Sequence, residues 1–245
     1  MTTNDMKTIV LGDVHGRTIW KEILEKEQPD KVVFLGDYVA THEGISSQQQ
    51  IDNLMEILAL KEQEPQRYVL LRGNHDLQHL GYRWAECSGL DMEVRRIMYQ
   101  LAFCQRFLDA TQWLYETSAG SQRILCSHAG VSQVWMEYCD VVDGCDINDM
   151  DPSDAFGFHP DNWDDFDGES VTQPPTWIRP ASLMKSAVQG YTQVVGHTPL
   201  SLRPEKPERP VSISTDTGDT IWLCDCLATN GYLVIEGEAI EPKGL

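Results

Sequence analysis

The chain has 245 residues, of which 41% are hydrophobic, and it contains seven Trp, eight Tyr and six Phe. This is enough apolar material for a substantial α/β core, and no stretch approaches the roughly 18 consecutive apolar residues of a transmembrane helix. The formal net charge is −19, from 38 acidic and 19 basic residues, and a field of that sign disfavours nucleic acid as a partner.

The first half of the chain alternates predicted strands and helices. Short apolar runs at residues 8–11, 32–35 and 68–71 are typical of buried strands. Trp20 begins an apolar helical pattern, and a capping box from Ser46 to Gln49 begins another, which continues through Ile51, Leu54, Met55 and Leu58. This order favours parallel strands with right-handed crossovers, and such sheets bind ligands at the carboxyl ends of their strands.

The second half contributes more strands than helices. We expect a long helix over about 91–109, with Leu101 among its inward residues, a strand at 123–126, a helix near 181–189 and a strand at 192–195. Further strands follow at 211–215, 220–224 and 231–235, and Asn230-Gly231 indicates a hairpin turn.

One region between these elements is strongly acidic. Residues 124–178 hold twelve acidic residues and no Lys or Arg. We interpret about 140–176 as an acidic loop inserted into a single domain that spans residues 1–245. This loop either is a solvated surface segment or gates a site and favours cationic substrates.

Polar residues with metal-binding or phosphate-binding chemistry follow five of the predicted strands. Carboxylate, imidazole and amide donors suit hard or borderline divalent cations. The candidate ligands are Asp13, His15, Asp37, Asn74, His128 and His197. By contrast, Cys224-Asp225-Cys226 offers two thiols, which is half a zinc site, and buried small residues explain it better.

The five motifs, in this order, resemble the metallophosphatase (calcineurin-like phosphoesterase) superfamily, and most closely its small bacterial and phage Ser/Thr-phosphatase-like members. They are Gly-Asp-Val-His-Gly at 12–16, Gly-Asp-Tyr at 36–38, Arg-Gly-Asn-His-Asp at 72–76, Ser-His-Ala-Gly at 127–130 and Gly-His-Thr-Pro at 196–199. The resemblance covers about residues 7–235. It implies a four-layer α/β/β/α sandwich with a dinuclear metal site at the carboxyl ends of the strands.

The resemblance also assigns roles. Asp13, His15 and Asp37 would hold one metal, and Asp37, Asn74, His128 and His197 the other, so that Asp37 bridges. The implied reaction is attack of a metal-bridging hydroxide on a phosphate monoester. His75 would be the general acid, and Arg72 and Arg179, the latter in a Trp-x-Arg segment, would bind phosphate. We expect two divalent ions, with Mn²⁺ favoured over Fe or Zn.

The second motif departs from the pattern of the protein Ser/Thr phosphatases. The Asp that orients the catalytic histidine is replaced by Ala40, and the adjacent phosphate-binding Arg is replaced by Thr41. Loss of the carboxylate partner should weaken protonation of the leaving group by His75. Our hypothesis is that His42 or Glu43 replaces part of this function.

The leading interpretation is a hydrolase that acts on phosphate monoesters, with a Ser/Thr protein phosphatase as one form of it. Its substrate would be a phosphorylated small molecule, a nucleotide or a phosphoprotein. A dinucleoside polyphosphate (Ap4A-type) hydrolase and a phosphodiesterase are alternatives. A non-catalytic scaffold would be expected to lose metal ligands, whereas all six are present. The polar start of the chain and seven cysteines without a disulfide pattern lead us to expect a cytoplasmic protein with no membrane partner.

Overall fold

The computed structural model describes residues 6–41, 43–141, 147–159 and 170–245. Seven helices are labelled within these ranges: α1 (Trp20–Glu27), α2 (Ser47–Gln63), α3 (Asn74–His79), α4 (Met92–Met98), α5 (Leu101–Ala110), α6 (Gln133–Tyr138) and α7 (Pro180–Ser186). The strands are β1 (Thr8–Leu11), β2 (Lys31–Phe34), β3 (Tyr68–Leu70), β4 (Leu114–Ala119), β5 (Gln122–Ser127), β6 (Thr192–Val195), β7 (Val211–Ser214), β8 (Thr220–Leu223), β9 (Gly231–Glu236) and β10 (Ala239–Gly244).

The strands form two mixed five-stranded sheets. The first has the order β10-β9-β1-β2-β3, in which β1, β2 and β3 are parallel and the two C-terminal strands are antiparallel. The second has the order β4-β5-β6-β8-β7, in which β5, β6 and β8 are parallel. Each sheet therefore has a parallel centre, and the parallel strands carry the five motifs.

Alternation along the central strands explains the layers. Ile9 and Leu11 of β1 pack into the core beneath the helices of the first half, whereas Val10 packs between the two sheets with Ile124 and Val194 of the second sheet. A third apolar cluster, which includes Leu183 of α7, covers the outer face of the second sheet. Successive strand residues point to opposite faces, so these continuous apolar runs are buried on both sides. The α/β sandwich expected from the sequence is confirmed.

The boundaries of α2 follow from its sequence. Ser46 accepts the backbone N–H of Gln49, and the Gln49 side chain accepts the backbone N–H of Ser46, which completes the predicted capping box. Ile51, Leu54 and Leu58 are buried as expected, but Met55 is 38% exposed. The apolar face of the helix is thus narrower than the sequence pattern suggests.

Two other expectations about local structure are wrong. The predicted helix over 91–109 is two helices, because Gln100 has an extended backbone (ψ 131°) that separates α4 from α5 and leaves Leu101 84% exposed. Asn230-Gly231 is not a hairpin turn, since β8 and β9 belong to different sheets. Asn230 instead adopts a left-handed conformation (φ 64°) that ends a short 3-10 helix between the two sheets.

The sequence patterns did not predict β4 or β10, each of which is an edge strand of its sheet. Much of the acidic loop, residues 142–146 and 160–169, lies outside the described residues, so its predicted role stays a prediction. Within the described ranges, no helix is long and apolar enough to cross a membrane.

Candidate metal centre

Six candidate ligands converge at the carboxyl ends of five parallel strands. Asp13 and His15 follow β1, Asp37 follows β2, and Asn74 begins α3 after β3; these come from the first sheet. His128 follows β5 and His197 follows β6, both from the second sheet. The face-to-face packing of the sheets brings these two groups of side chains together.

The side chains form two donor groups that share one carboxylate. Ligand atoms of Asp13, His15 and Asp37 lie within 4.8 Å of one another, and so do those of Asp37, His128 and His197. Asn74 joins the second group, because its Oδ1 lies 3.0 Å from His128 Nε2 and 3.1 Å from His197 Nδ1. Carboxylate, imidazole and carboxamide donors at this spacing fit a divalent metal site.

The three histidines are oriented by backbone carbonyl groups. The ring nitrogen pointing away from the centre is Nδ1 in His15, 2.8 Å from Val39 O, and Nδ1 in His128, 2.9 Å from Leu35 O. In His197 it is Nε2, which lies 3.1 Å from Trp177 O. A ring N–H that donates to a carbonyl leaves the lone pair on the other nitrogen for a metal, which is the usual arrangement around ligating histidines.

Burial sets the charge state of the centre. It lowers the pKa of His128 to about 3 and lowers the pKa of His197, so both imidazoles are neutral, as metal ligands must be. Burial, with repulsion from neighbouring carboxylates, raises the pKa of Asp13 and of Asp37 well above the usual range. Divalent cations held by Asp13 and Asp37 would compensate the charge of these two buried carboxylates.

Three of the candidate ligands have strained backbone conformations. His15, Asp37 and His197 have φ values of 46°, 48° and 63°, in a region that costs non-glycine residues of order 1–3 kcal/mol each. The Asp13 carboxylate accepts the backbone N–H of His197 at 2.9 Å, and the Asp37 carboxylate accepts that of His75 at 3.0 Å. Each of these two carboxylates thereby stabilises the backbone of another strand-end loop of the candidate centre.

Two motif glycines leave room for the carboxylates. A Cβ atom added at Gly73 would lie 2.0 Å from Asp37 Oδ1, and one added at Gly196 would lie 2.2 Å from Asp13 Oδ1. No side chain fits at such distances. The close approach therefore explains why glycine precedes Asn74 and His197.

Asp76 is a residue of the centre that the sequence reasoning did not single out. Its buried carboxylate accepts the backbone N–H groups of Asp37, Tyr38 and Gly73, each at 2.9 Å. Burial raises the pKa of Asp76 to about 7, and these three N–H groups oppose that rise. The sequence feature that could have identified Asp76 is its place at the end of the Arg-Gly-Asn-His-Asp motif, two residues after the candidate ligand Asn74.

His75 lies beside the donor groups. Its ring packs edge-on against His15, with centroids 5.5 Å apart. Its Nδ1 lies 3.6 Å from Cys87 Sγ, a neighbour that no sequence motif indicated. Ala40, which stands where the resemblance expects a carboxylate, donates its backbone N–H to Gln50 Oε1 at 2.8 Å.

The two candidate phosphate-binding arginines differ in placement. Arg179 donates from Nη1 to the His197 carbonyl and to Thr198 Oγ1, both at 3.1 Å, so it lies at the edge of the centre. The structure does not bring Arg72 to the centre in the same way: its Nε and Nη2 donate to Thr111 and to the Leu108 carbonyl. The Arg72 guanidinium also stacks on Trp113 at 4.6 Å, a packing role that sequence reasoning did not anticipate.

Glu43 does not take the place of the missing carboxylate beside His75. Its two carboxylate oxygens accept hydrogen bonds from Arg17 Nε at 3.0 Å and Arg17 Nη2 at 2.7 Å. Arg17 also donates from Nη1 to the Asp13 carbonyl at 3.2 Å. Glu43 thus positions a cation near the centre, and His42, the other residue of that hypothesis, lies outside the described residues.

The fold is a two-sheet α/β sandwich, and this cluster at its strand ends fits a divalent metal site. The family model for calcineurin-like phosphoesterases matches residues 6–224, and the chain belongs to that family. The two donor groups fit the divalent metal site of such a family. The resemblance seen in the five motifs is confirmed.

Individual relatives agree with this assignment. Serine/threonine-protein phosphatase PP1-delta of Caenorhabditis elegans is 30% identical over 128 residues, which are 51% of this chain and 39% of that protein. The chain thus matches well under half the length of that curated relative.

Two solved structures share the fold. A protein serine/threonine phosphatase from Saccharomyces cerevisiae aligns at a TM-score of 0.57 and 14% identity, covering 100% of this chain and 81% of the other. A cold-active protein tyrosine phosphatase aligns at a TM-score of 0.58 and 15% identity, covering 97% and 78%.

Proposed function

We propose that this protein is a phosphomonoesterase that uses two divalent metal ions. The observation that carries the proposal is the pair of donor groups sharing Asp37, each completed by histidines whose other ring nitrogen contacts a backbone carbonyl. Two divalent ions bound there would activate water and stabilise the charge on the phosphoryl oxygens. Manganese is the proposed metal, and iron and zinc suit the same donors.

The remaining roles belong to residues around the donor groups. Arg179, fixed by the His197 carbonyl and Thr198, would bind phosphoryl oxygens from one side. His75, whose backbone N–H is held by Asp37, would give a proton to the leaving oxygen and regain it from solvent. Arg72 is assigned to packing against Trp113 and not to substrate.

A phosphoserine or phosphothreonine peptide is the proposed substrate class. It is supported by the Ser/Thr phosphatase among the relatives and by the excess of negative charge, which favours substrates carrying basic residues. Phosphorylated small molecules and nucleotides remain the other classes to screen. The proposed setting is the cytoplasm, supported by seven cysteines without a disulfide pattern.

The test is manganese-dependent hydrolysis of p-nitrophenyl phosphate alongside bis-p-nitrophenyl phosphate. We expect turnover of the monoester and its loss in Asp37→Asn, since that substitution weakens the carboxylate shared by both donor groups. Asp109→Asn, at an exposed aspartate of α5, is the matched control and should keep full activity. Preference for the diester would replace the proposal by a phosphodiesterase, and preference for a dinucleoside polyphosphate would replace it by an anhydride hydrolase.

A further inference from the structure

Cys87 lies beside His75, the candidate general acid. Its Sγ lies 3.6 Å from His75 Nδ1, and the same sulfur accepts the Asn74 side-chain N–H at 3.6 Å. One thiol therefore contacts both a candidate metal ligand and the candidate general acid. Ala40, at the usual position of the carboxylate partner, has no side chain that can make this contact.

The sulfur is held in this place by α3 itself. Cys87 donates its backbone N–H to Gln78 Oε1 at 2.7 Å, and Gln78 Nε2 donates to the Ser88 carbonyl at 3.3 Å. Gln78 is 1% exposed, so both ends of one buried carboxamide clamp residues 87 and 88 onto the helix that carries His75. A buried carboxamide with both ends satisfied is a rigid attachment.

A second attachment closes the same loop. His79 Nδ1 lies 2.7 Å from the His75 carbonyl, and His79 Nε2 accepts the backbone N–H of Asp91 at 3.0 Å. The segment between α3 and α4 is thus fixed at residues 87, 88 and 91. This framework fixes the backbone that carries the sulfur beside the His75 ring.

The hydrogen-bond chemistry gives the contact a direction. The side-chain NH2 of Asn74 can only donate, so the sulfur is its acceptor. When the His75 ring is neutral, the S–H can donate to Nδ1, and when the ring is protonated and can act as an acid, Nδ1–H donates to the sulfur. This contact turns the Nδ1 edge of the ring toward Cys87, so Nε2 is the nitrogen that would serve a leaving oxygen. A thiol is a weaker partner than a carboxylate, so the ring is oriented with less electrostatic assistance.

We infer that Cys87 is the positioning residue for His75, in place of the carboxylate that Ala40 removes. This inference rests on the proposed function for its catalytic consequence. It predicts that the loss of the thiol affects esters with poor leaving groups, which need a well-placed proton donor, more than esters with good ones.

The experiment compares manganese-loaded wild type, Cys87→Ala and Cys87→Ser on aryl and alkyl phosphates of increasing leaving-group pKa. We expect Cys87→Ala to lower kcat on an alkyl phosphate about tenfold and to change kcat on p-nitrophenyl phosphate little. The tenfold loss is a part of the roughly 10²–10⁴-fold rate enhancement that general acid catalysis supplies. Cys87→Ser keeps a hydroxyl, whose oxygen can accept Nδ1–H of the protonated ring, and should restore most of the loss. Cys139→Ala, at another half-buried cysteine, is the control and should change neither rate.

A second readout does not depend on turnover. Nitrogen-15 spectra of the histidine side chains report which ring nitrogen of His75 carries the proton, and we expect that ratio to move in Cys87→Ala and to return in Cys87→Ser. An unchanged ratio, or an equal fall in kcat for every leaving group, would overturn the inference. Absence of turnover in the wild type would count against the proposed function alone, because the spectra still decide the role of Cys87.

Discussion

The buried carboxylate of Asp76 accepts the backbone N–H of Asp37 at 2.9 Å, so one acid positions the loop that carries another. The same carboxylate accepts N–H groups from Tyr38 and Gly73, and it thereby ties the turn after β2 to the start of α3. Both donor groups of the metal centre contain Asp37, so the whole centre depends on this attachment.

Asp76→Asn should therefore disrupt the metal centre although it replaces none of the candidate ligands. An amide in place of the carboxylate turns an N–H toward at least one backbone N–H, and we expect a loss of about 2–3 kcal/mol in the free energy of unfolding. We also expect weaker manganese binding. Chemical denaturation and calorimetric titration measure the two effects, and unchanged values for both would show that the attachment is dispensable.

Gly73→Ala tests the close approach between the glycine and Asp37. The new Cβ would lie 2.0 Å from Asp37 Oδ1, so the carboxylate or the loop must move. We expect loss of metal binding and a destabilisation of about 1–3 kcal/mol, as for other overpacked sites. Gly218→Ala is the control: its φ is 92° but nothing lies within 4 Å of its added Cβ, so it should strain the backbone and leave metal binding intact.

Asp225 is a buried carboxylate whose Oδ2 has no hydrogen-bond partner among the described residues. Burial raises its pKa to about 7, and its charge raises the pKa of Asp13. A carboxyl whose pKa is raised on folding destabilises the protein as pH rises from its unfolded pKa towards 7, and the penalty is absent at lower pH.

Asp225→Asn should accordingly raise the Tm of the metal-free protein at pH 8, with no gain near pH 4. It should also weaken manganese binding by about tenfold, because a nearby negative charge is removed from a dication site. Melting curves and metal titrations follow both effects. The exposed Asp216 provides the control Asp216→Asn, and equal behaviour of the two variants would rule out an influence of Asp225 on the centre.

Substitutions of Arg179 and Arg72 should have different effects on KM and on stability. Arg179→Met is expected to raise KM for a phosphate monoester by about tenfold or more, the size of a charge-assisted hydrogen bond. Arg72→Met should leave KM unchanged and lower stability by about 2–3 kcal/mol, through its lost hydrogen bonds to Thr111 and Leu108. A raised KM in Arg72→Met at unchanged stability would reverse these assignments.

The sequence predicted the parts of the fold that local patterns determine. The apolar sequence runs that form β1, β2 and β3 are buried on both faces. The capping box that begins α2 involves only Ser46 to Gln49, so it can be recognised from four consecutive residues. Candidate ligands were found because each follows a strand directly, where topology requires the carboxyl ends to meet. The shared position of Asp37 was expected from the family resemblance, and Asp37 belongs to both donor groups.

Long-range packing accounts for what the sequence did not predict. The contact between Cys87 and His75 depends on a loop that returns to α3 through Gln78, which no spacing rule indicates. Arg72 lies next to Gly73 in a phosphatase-like motif, yet its guanidinium packs on Trp113. Asn230-Gly231 has hairpin composition, but the chain there passes from one sheet to the other.

The most direct test of the two-metal site is anomalous diffraction from crystals grown with manganese. Two peaks about 3.5–4 Å apart are predicted. One should lie among Asp13, His15 and Asp37, and the other among Asp37, Asn74, His128 and His197. A single peak, or manganese bound away from Asp37, would contradict the account.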